Sequence, residues 1–195
     1  CVLRGQRRAG LQAGLTVLVL GSGLAGLLHI MLARRQGAGR IIATDISRYR
    51  LAAAERFGAN DVFEAGDDIP ARVREANNGR LADIVIVCTG ATPAFHQALA
   101  SVDRGGTVLF FAPTDPGVEL PLSVNDLFWR NDITLTTSYA GSPADHQAAL
   151  EMIAAGGLPV EEMITHRLGL AETGKGFRLV AGGGECLKVI ILPQE

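Results

Sequence analysis

The sequence predicts an α/β fold: a doubly wound parallel sheet of six main strands with a C-terminal strand–helix–strand tail. Three observations carry that expectation. Short β-rich runs such as Thr16–Leu20 (TVLVL) are apolar on both faces, as strands covered by two helix layers must be. Helical segments of about 10–14 residues separate these runs, as right-handed crossovers between parallel strands require. Glycine-rich turns join strand to helix, drawing on 24 glycines in 195 residues.

Residues Cys1–Leu11 open the chain as a helix-like run. Thr16–Leu20 is the first strand, and Leu24–Gln36 is a helix stopped at Gly37. Arg40–Thr44 (RIIAT) is the second strand. Ser47 can cap a helix that runs to Phe57 and ends at Gly58. Asp61–Phe63 forms a short third strand and Pro70–Asn77 a polar helix. Asp83–Cys88 (DIVIVC) has the apolar character of a central fourth strand. Thr92–Ser101 is helical, with Pro93 in the first turn where proline is tolerated. Thr107–Phe111 and Ile133–Ser138 are strands five and six, and the looser stretch between them holds one short helix near Val124–Arg130. A helix over Ala144–Ala155 ends at Gly156-Gly157. The tail from Met163 reads as strand, helix (Ala171–Ala181) and strand (Leu187–Leu192). We therefore expect a domain over 1–162 and a tail over 163–195 that returns toward a further, catalytic domain.

Composition narrows function by exclusion. Hydrophobic residues make up 48%, charged residues 19%, and the formal net charge is −2; this is a globular balance. Basic residues are interspersed with acids, so neither nucleic acid nor a membrane surface is an expected partner. No run reaches the ~20 apolar residues of a membrane span, and no signal-peptide pattern opens the chain. Cys1, Cys88 and Cys186 lie far apart and form no C-x-x-C pair. They predict reduced thiols in a cytoplasmic protein, not disulfides or a structural zinc site. The first residue is Cys1 rather than methionine, which predicts a piece of a longer polypeptide.

The chemistry concentrates at Gly21-Ser22-Gly23-Leu24-Ala25-Gly26. A G-x-G-x-x-G run alone is a weak signal. Here it leaves a buried strand, opens a helix, and is followed by an acid, Asp45, 24 residues after Gly21 at the end of the next strand. Gly21 permits the tight turn, Gly23 lets a pyrophosphate approach the backbone, and Gly26 lets the helix pack closely. Free amides near Leu24 and Ala25 are expected to hydrogen-bond phosphate oxygens. Asp45 is expected to accept from the adenosine ribose and repel a 2′-phosphate, favouring NAD over NADP. Ile46 and Arg50 join Asp45 in the expected site, with Arg50 flanking adenine and Arg48 a solvated helix charge. In a doubly wound sheet the ligand crosses the carboxyl ends of the strands. That nominates Cys88 and Thr89 after strand four, Ala112 and Pro113 after strand five, and Ser138 and Tyr139 after strand six. Thr89 is expected near ribose, with backbone near Ala112 and Ser138 on the nicotinamide carboxamide.

With these residues in view, the chain resembles the medium-chain dehydrogenase/reductase family, near its zinc-dependent alcohol, polyol (sorbitol-type) and threonine dehydrogenases. The similar stretches are AGLQAGLTVLVLGSGLAG, ATDISRYRLAAAERFGAND, ADIVIVCTG, VDRGGTVLFFAP and KVIILP. The most specific of them is D-x-S-x-x-R-L-x-x-A-x-x-x-G-A from Asp45 to Ala59. The resemblance implies a Rossmann-type NAD-binding part of an oxidoreductase whose catalytic zinc is held by another domain and not by this chain. It also implies a homodimer or tetramer paired through edge strand 133–138, where Thr134, Thr136 and Thr137 supply no charge against pairing. Cys1 is read as a buried helix residue rather than a zinc ligand. His29 and His96 are read as helix-face residues, and neither they nor His146 and His166 match a ligand position. The sequence departs from relatives at Leu24-Ala25, which replaces a proline–branched pair, at Leu15 and at Ser138. Two other readings stay open: a non-catalytic NAD-sensing module, and a zinc-free quinone or enoyl reductase of the same superfamily. The tail argues against the first, and Asp45 against the second. A methyltransferase fits the later strand-end turns less well.

Overall fold

A computed structural model describes residues 1–194. Helix α1 (Val2–Arg8) precedes β1 (Thr16–Leu20), α2 (Leu24–Arg35), β2 (Arg40–Asp45), α3 (Arg48–Arg56) and β3 (Asp61–Glu64). The second half continues through α4 (Ile69–Ala76), β4 (Ala82–Val87), α5 (Thr92–Ser101), β5 (Val102–Phe110) and β6 (Thr134–Thr137). Helix α6 (Pro143–Ala154), β7 (Ile164–Gly169), α7 (Thr173–Ala181) and β8 (Lys188–Leu192) complete it.

The first six strands form one parallel sheet in the order β3-β2-β1-β4-β5-β6. The chain winds outward from β1 to β3, then crosses back to place β4 beside β1. That reversal opens a crevice at the carboxyl ends of the strands. Alternation along β1 divides the core into two layers. Val17 and Val19 face α2 and α3 through Leu27, Ile30, Ala53 and Ala54. Leu18 and Leu20 face α4 and α5 through Ile69, Val73, Phe95 and Ala98. Each such Val, Leu or Ile, taken fully out of water, contributes about 1.5–3 kcal/mol.

Helix starts and stops follow local chemistry. The Ser47 hydroxyl accepts from the Arg50 amide, Asp68 caps α4 through the Ala71 amide, and Gly37 (φ +81°) ends α2. Helix α6 begins with a reciprocal pair: Ser142 accepts from the Asp145 amide while Asp145 accepts from the Ser142 amide.

Several expectations need correction. Strand β5 starts at Val102, not Thr107, because α5 runs directly into an extended segment that pairs Val102 with Ala82 across an irregular register. The polar Asp103-Arg104-Gly105-Gly106 there reads locally as a turn. The short helix expected near Val124–Arg130 is a single wide turn over Asn125–Trp129. Helix α1 stops at Arg8, short of Leu11. Cys1 is exposed rather than buried, since it caps α1 instead of lying inside it. The helix face that carries His29 turns inward and is fully buried against α1, while His96 is exposed on α5.

Strands β7 and β8 form their own parallel pair, with α7 laid on them where Gly176 meets Val189, Ile191 and Leu168. The segment is anchored to the main core by Met163 and Leu187. Among the described residues no helix is long and apolar enough to cross a membrane.

Candidate functional site

A cleft of about 480 Å³ lies at the carboxyl ends of β1, β2 and β4, where the strand order reverses. Of the residues expected at a site, the structure brings seven to its walls: Gly21 and Gly23, then Asp45, Ile46 and Arg50, then Cys88 and Thr89.

The glycine turn is shaped by overlaps that only glycine avoids. Gly21 has φ +92°, and a Cβ on it would lie 3.2 Å from the Cys88 carbonyl oxygen. A Cβ on Gly26 would overlap the carbonyl oxygen of Gly21, so Gly26 is needed by the turn itself more than by the helix–sheet distance, its nearest sheet contact being Val19 Cγ1 at 3.4 Å. Gly23 differs from both. A Cβ there would meet no atom within 4 Å, so its missing side chain leaves the cleft open. Gly23 is the N-cap of α2 and offers no capping group, and the Leu24 and Ala25 amides have no partner among the described residues. A helix start with free amides and an open approach suits an anion.

Asp45 faces this turn from the end of β2 and is only 5% exposed. Its Oδ2 accepts from the Ser22 amide at 2.8 Å and its Oδ1 from the Ser47 amide at 2.9 Å. The Arg50 guanidinium lies 4.0 Å from Oδ2. Asp45 therefore ties the glycine turn to the start of α3, while each oxygen keeps lone-pair capacity for a further donor. Arg48 points away and pairs with Glu64 at 3.0 Å on the surface.

Ile46, 89% exposed, stands at the cleft mouth. The Thr89 hydroxyl accepts from the Ala91 amide at 3.3 Å. Burial raises the Cys88 thiol pKa far above its ordinary value, so this cleft-lining sulfur stays protonated.

Ala112, Pro113, Ser138 and Tyr139 share the same sheet edge but stand outside the cleft walls. Pro113 covers the β4 turn at Gly90, the Ser138 hydroxyl is buried with no partner among the described residues, and Tyr139 is 92% exposed. The far wall comes from residues the sequence did not flag, chiefly Ala65, Gly66, Pro93 and Gln97. The Gln97 side chain donates to the Ala65 carbonyl oxygen at 2.8 Å, joining α5 to the loop after β3. A glutamine mid-helix carries no signal in one sequence, because only sheet order places it there.

Among the described residues no three His, Cys, Asp or Glu side chains converge as a metal would require. The donors among the described residues do not fit a zinc ion.

The family model described as zinc-binding dehydrogenase matches residues 25–155. The chain is 31% identical over 191 residues to sorbitol dehydrogenase of Bacillus subtilis, covering 96% of this chain and 53% of that protein. It is 29% identical to L-threonine 3-dehydrogenase of Bacillus licheniformis, over 94% of this chain and 53% of that protein. The chain thus spans about half the length of the relatives it matches. A zinc-binding dehydrogenase of Sinorhizobium meliloti, solved bound to NADP, superposes with a TM-score of 0.89 at 28% identity, over 99% of this chain and 56% of that one. The family model covers residues 25–155, well over half of the chain, so the chain belongs to the zinc-binding dehydrogenase family.

Proposed function

We propose that the cleft holds NAD(H) for an alcohol or polyol dehydrogenase, and that this chain is the cofactor-binding part of that enzyme. One observation carries the reading: an uncapped glycine turn with free Leu24 and Ala25 amides stands opposite the buried Asp45 carboxylate in a single cleft. In this reading the turn binds the pyrophosphate through backbone amides, a favourable helix-dipole contribution of about 0.3–1 kcal/mol adding to the hydrogen bonds. Asp45 accepts from the ribose hydroxyls with its remaining lone pairs. Ile46 and Arg50 flank the base, and Thr89 approaches the sugar from β4. Ala112, Pro113, Ser138 and Tyr139 lie where the nicotinamide half would extend along the strand ends. The dinucleotide supplies a hydride acceptor; these residues bind and orient it.

The preference proposed is NAD over NADP. Two like unit charges 4 Å apart near a protein surface repel by about 4 kcal/mol. A 2′-phosphate beside Asp45 would meet that cost, and Arg50 offsets only part of it from one side. Calorimetric titration of the chain with NADH tests the whole reading. Saturable binding is expected, weaker for NADPH. No saturation at millimolar NADH removes the assignment. The exposed apolar side chains Leu170, Phe177 and Val180 around α7 support a further proposal, that the remainder of a dehydrogenase packs there and supplies the alcohol site.

A further inference from the structure

We propose that Gln97 reads the base of the bound dinucleotide by accepting a hydrogen bond from the exocyclic amine of adenine. The inference rests on the dinucleotide reading above and extends it to base selectivity.

The glycine turn proposed to hold the phosphates lies at the end of β1, and Asp45, proposed to hold the ribose, at the end of β2. A dinucleotide laid across these two points carries its base onward, toward the loop that follows β3. There the cleft is closed by Ala65 and Gly66 on one side and by α5 on the other, with Gln97 joining them. Ile46, Ala91, Pro93 and Ala94 give this end apolar walls suited to the faces of a flat ring.

Gln97 is the one carboxamide among the lining residues. Its orientation is set by its neighbour. Nε2 donates to the Ala65 carbonyl oxygen at 2.8 Å, and a flipped amide would bring two oxygens together. Oε1 makes no hydrogen bond among the described residues, and one N–H of Nε2 remains free. The other polar side chains nearby are committed or unsuitable. In the reading above the ribose hydroxyls take the remaining lone pairs of Asp45, the Thr89 hydroxyl lies beside the sugar and already accepts from the Ala91 amide, and a guanidinium such as Arg50 only donates. Adenine presents an amine donor beside a ring-nitrogen acceptor, the pattern a carboxamide complements. Hypoxanthine presents the reverse, a carbonyl beside an N–H. The tether to Ala65 opposes the flip that would accommodate it, so two acceptors would face each other.

The test is titration of the chain with NADH and with reduced nicotinamide hypoxanthine dinucleotide, followed by calorimetry. The wild type should bind the adenine form about three- to tenfold more tightly, the span of one net neutral hydrogen bond. In Gln97→Leu and Gln97→Ala the ratio should fall to about one, chiefly through weaker binding of the adenine form. Equal affinities in the wild type overturn the role of Gln97 and leave the dinucleotide site standing. So does a variant that weakens both ligands alike with the ratio intact, since that is the behaviour of a loop staple. Failure of both ligands to bind overturns both readings. The wild-type ratio needs no variant to fold, and comparison of AMP with IMP repeats it on the half-ligand.

Discussion

Gln6 and His29, both fully buried, meet where α1 packs on α2. The Gln6 amide donates to the His29 carbonyl oxygen at 2.8 Å and lies 3.2 Å from Nδ1, and Phe111 meets the imidazole edge-on at 4.5 Å. Among the described residues, His29 Nε2 and Gln6 Oε1 have no hydrogen-bond partner. Burial lowers the His29 pKa from 6.5 to about 3. The unfolded chain thus takes up a proton below pH 6.5 that the folded chain refuses until about 3, and stability falls as pH drops through that window. Between pH 6.5 and 4.5 the loss from this group should be about 2 kcal/mol. Urea unfolding at the two pH values checks it: His29→Leu should lose less than the wild type by that amount, and equal losses would exclude the imidazole as the cause. Asp45 is the second residue whose surroundings make a prediction. Because it holds the Ser22 and Ser47 amides, Asp45→Ser should both raise the NADPH-to-NADH affinity ratio and weaken NADH by about tenfold or more, as charge-assisted hydrogen bonds of about 1.5–3 kcal/mol are lost. An unchanged ratio in a two-ligand titration would remove Asp45 from cofactor selection.

Among the elements, the start of α2 separates two roles of glycine. Gly26→Ala drives a Cβ into the Gly21 carbonyl, so the turn must shift, and we expect about 1–3 kcal/mol of lost stability. Gly23→Ala meets open space and should change stability by no more than about 0.5–1 kcal/mol, yet it should weaken NADH strongly because the methyl occupies the proposed phosphate approach. Denaturation and titration of both variants resolve the pair; a Gly23→Ala protein with unaltered NADH affinity would move the phosphate elsewhere. At the start of α6, the Ser142 hydroxyl and amide hold the Asp145 pKa down to about 2, with Arg7 adding a 2.8 Å contact that ties α6 to α1. The start of α3 and the stop of α2 are legible in the sequence because capping is local chemistry, whereas the Ser142–Asp145 pair was seen only in the structure. Ser47 and the glycine after α2 stand where their helices need them, whereas the early start of β5 hid behind a glycine pair that only a neighbouring strand turns into an extended segment.

For the whole molecule, the edge strand β6 remains the proposed pairing surface. Its side chains are Thr134, Leu135, Thr136 and Thr137, with no charge to discourage a second strand. The Arg8 guanidinium donates to the Thr137 carbonyl at 2.9 Å, so one end of that edge is already occupied within the chain. Sedimentation at micromolar concentration should show a dimer and Thr136→Lys should shift it toward monomer; a monomeric wild type would remove the proposal.

The parallel α/β sheet, the glycine turn and its acid can all be read from the order of residues, because apolar alternation, caps and turn residues act over a few positions. That order also marked seven of the cleft's wall residues through their places at strand ends. Folding in three dimensions is what lets Asp45 accept from two backbone amides, seals His29 beneath α1 and brings Gln97 to the far wall. Those facts depend on strand order and helix packing, which bring together residues remote in the chain, and no local pattern encodes such meetings.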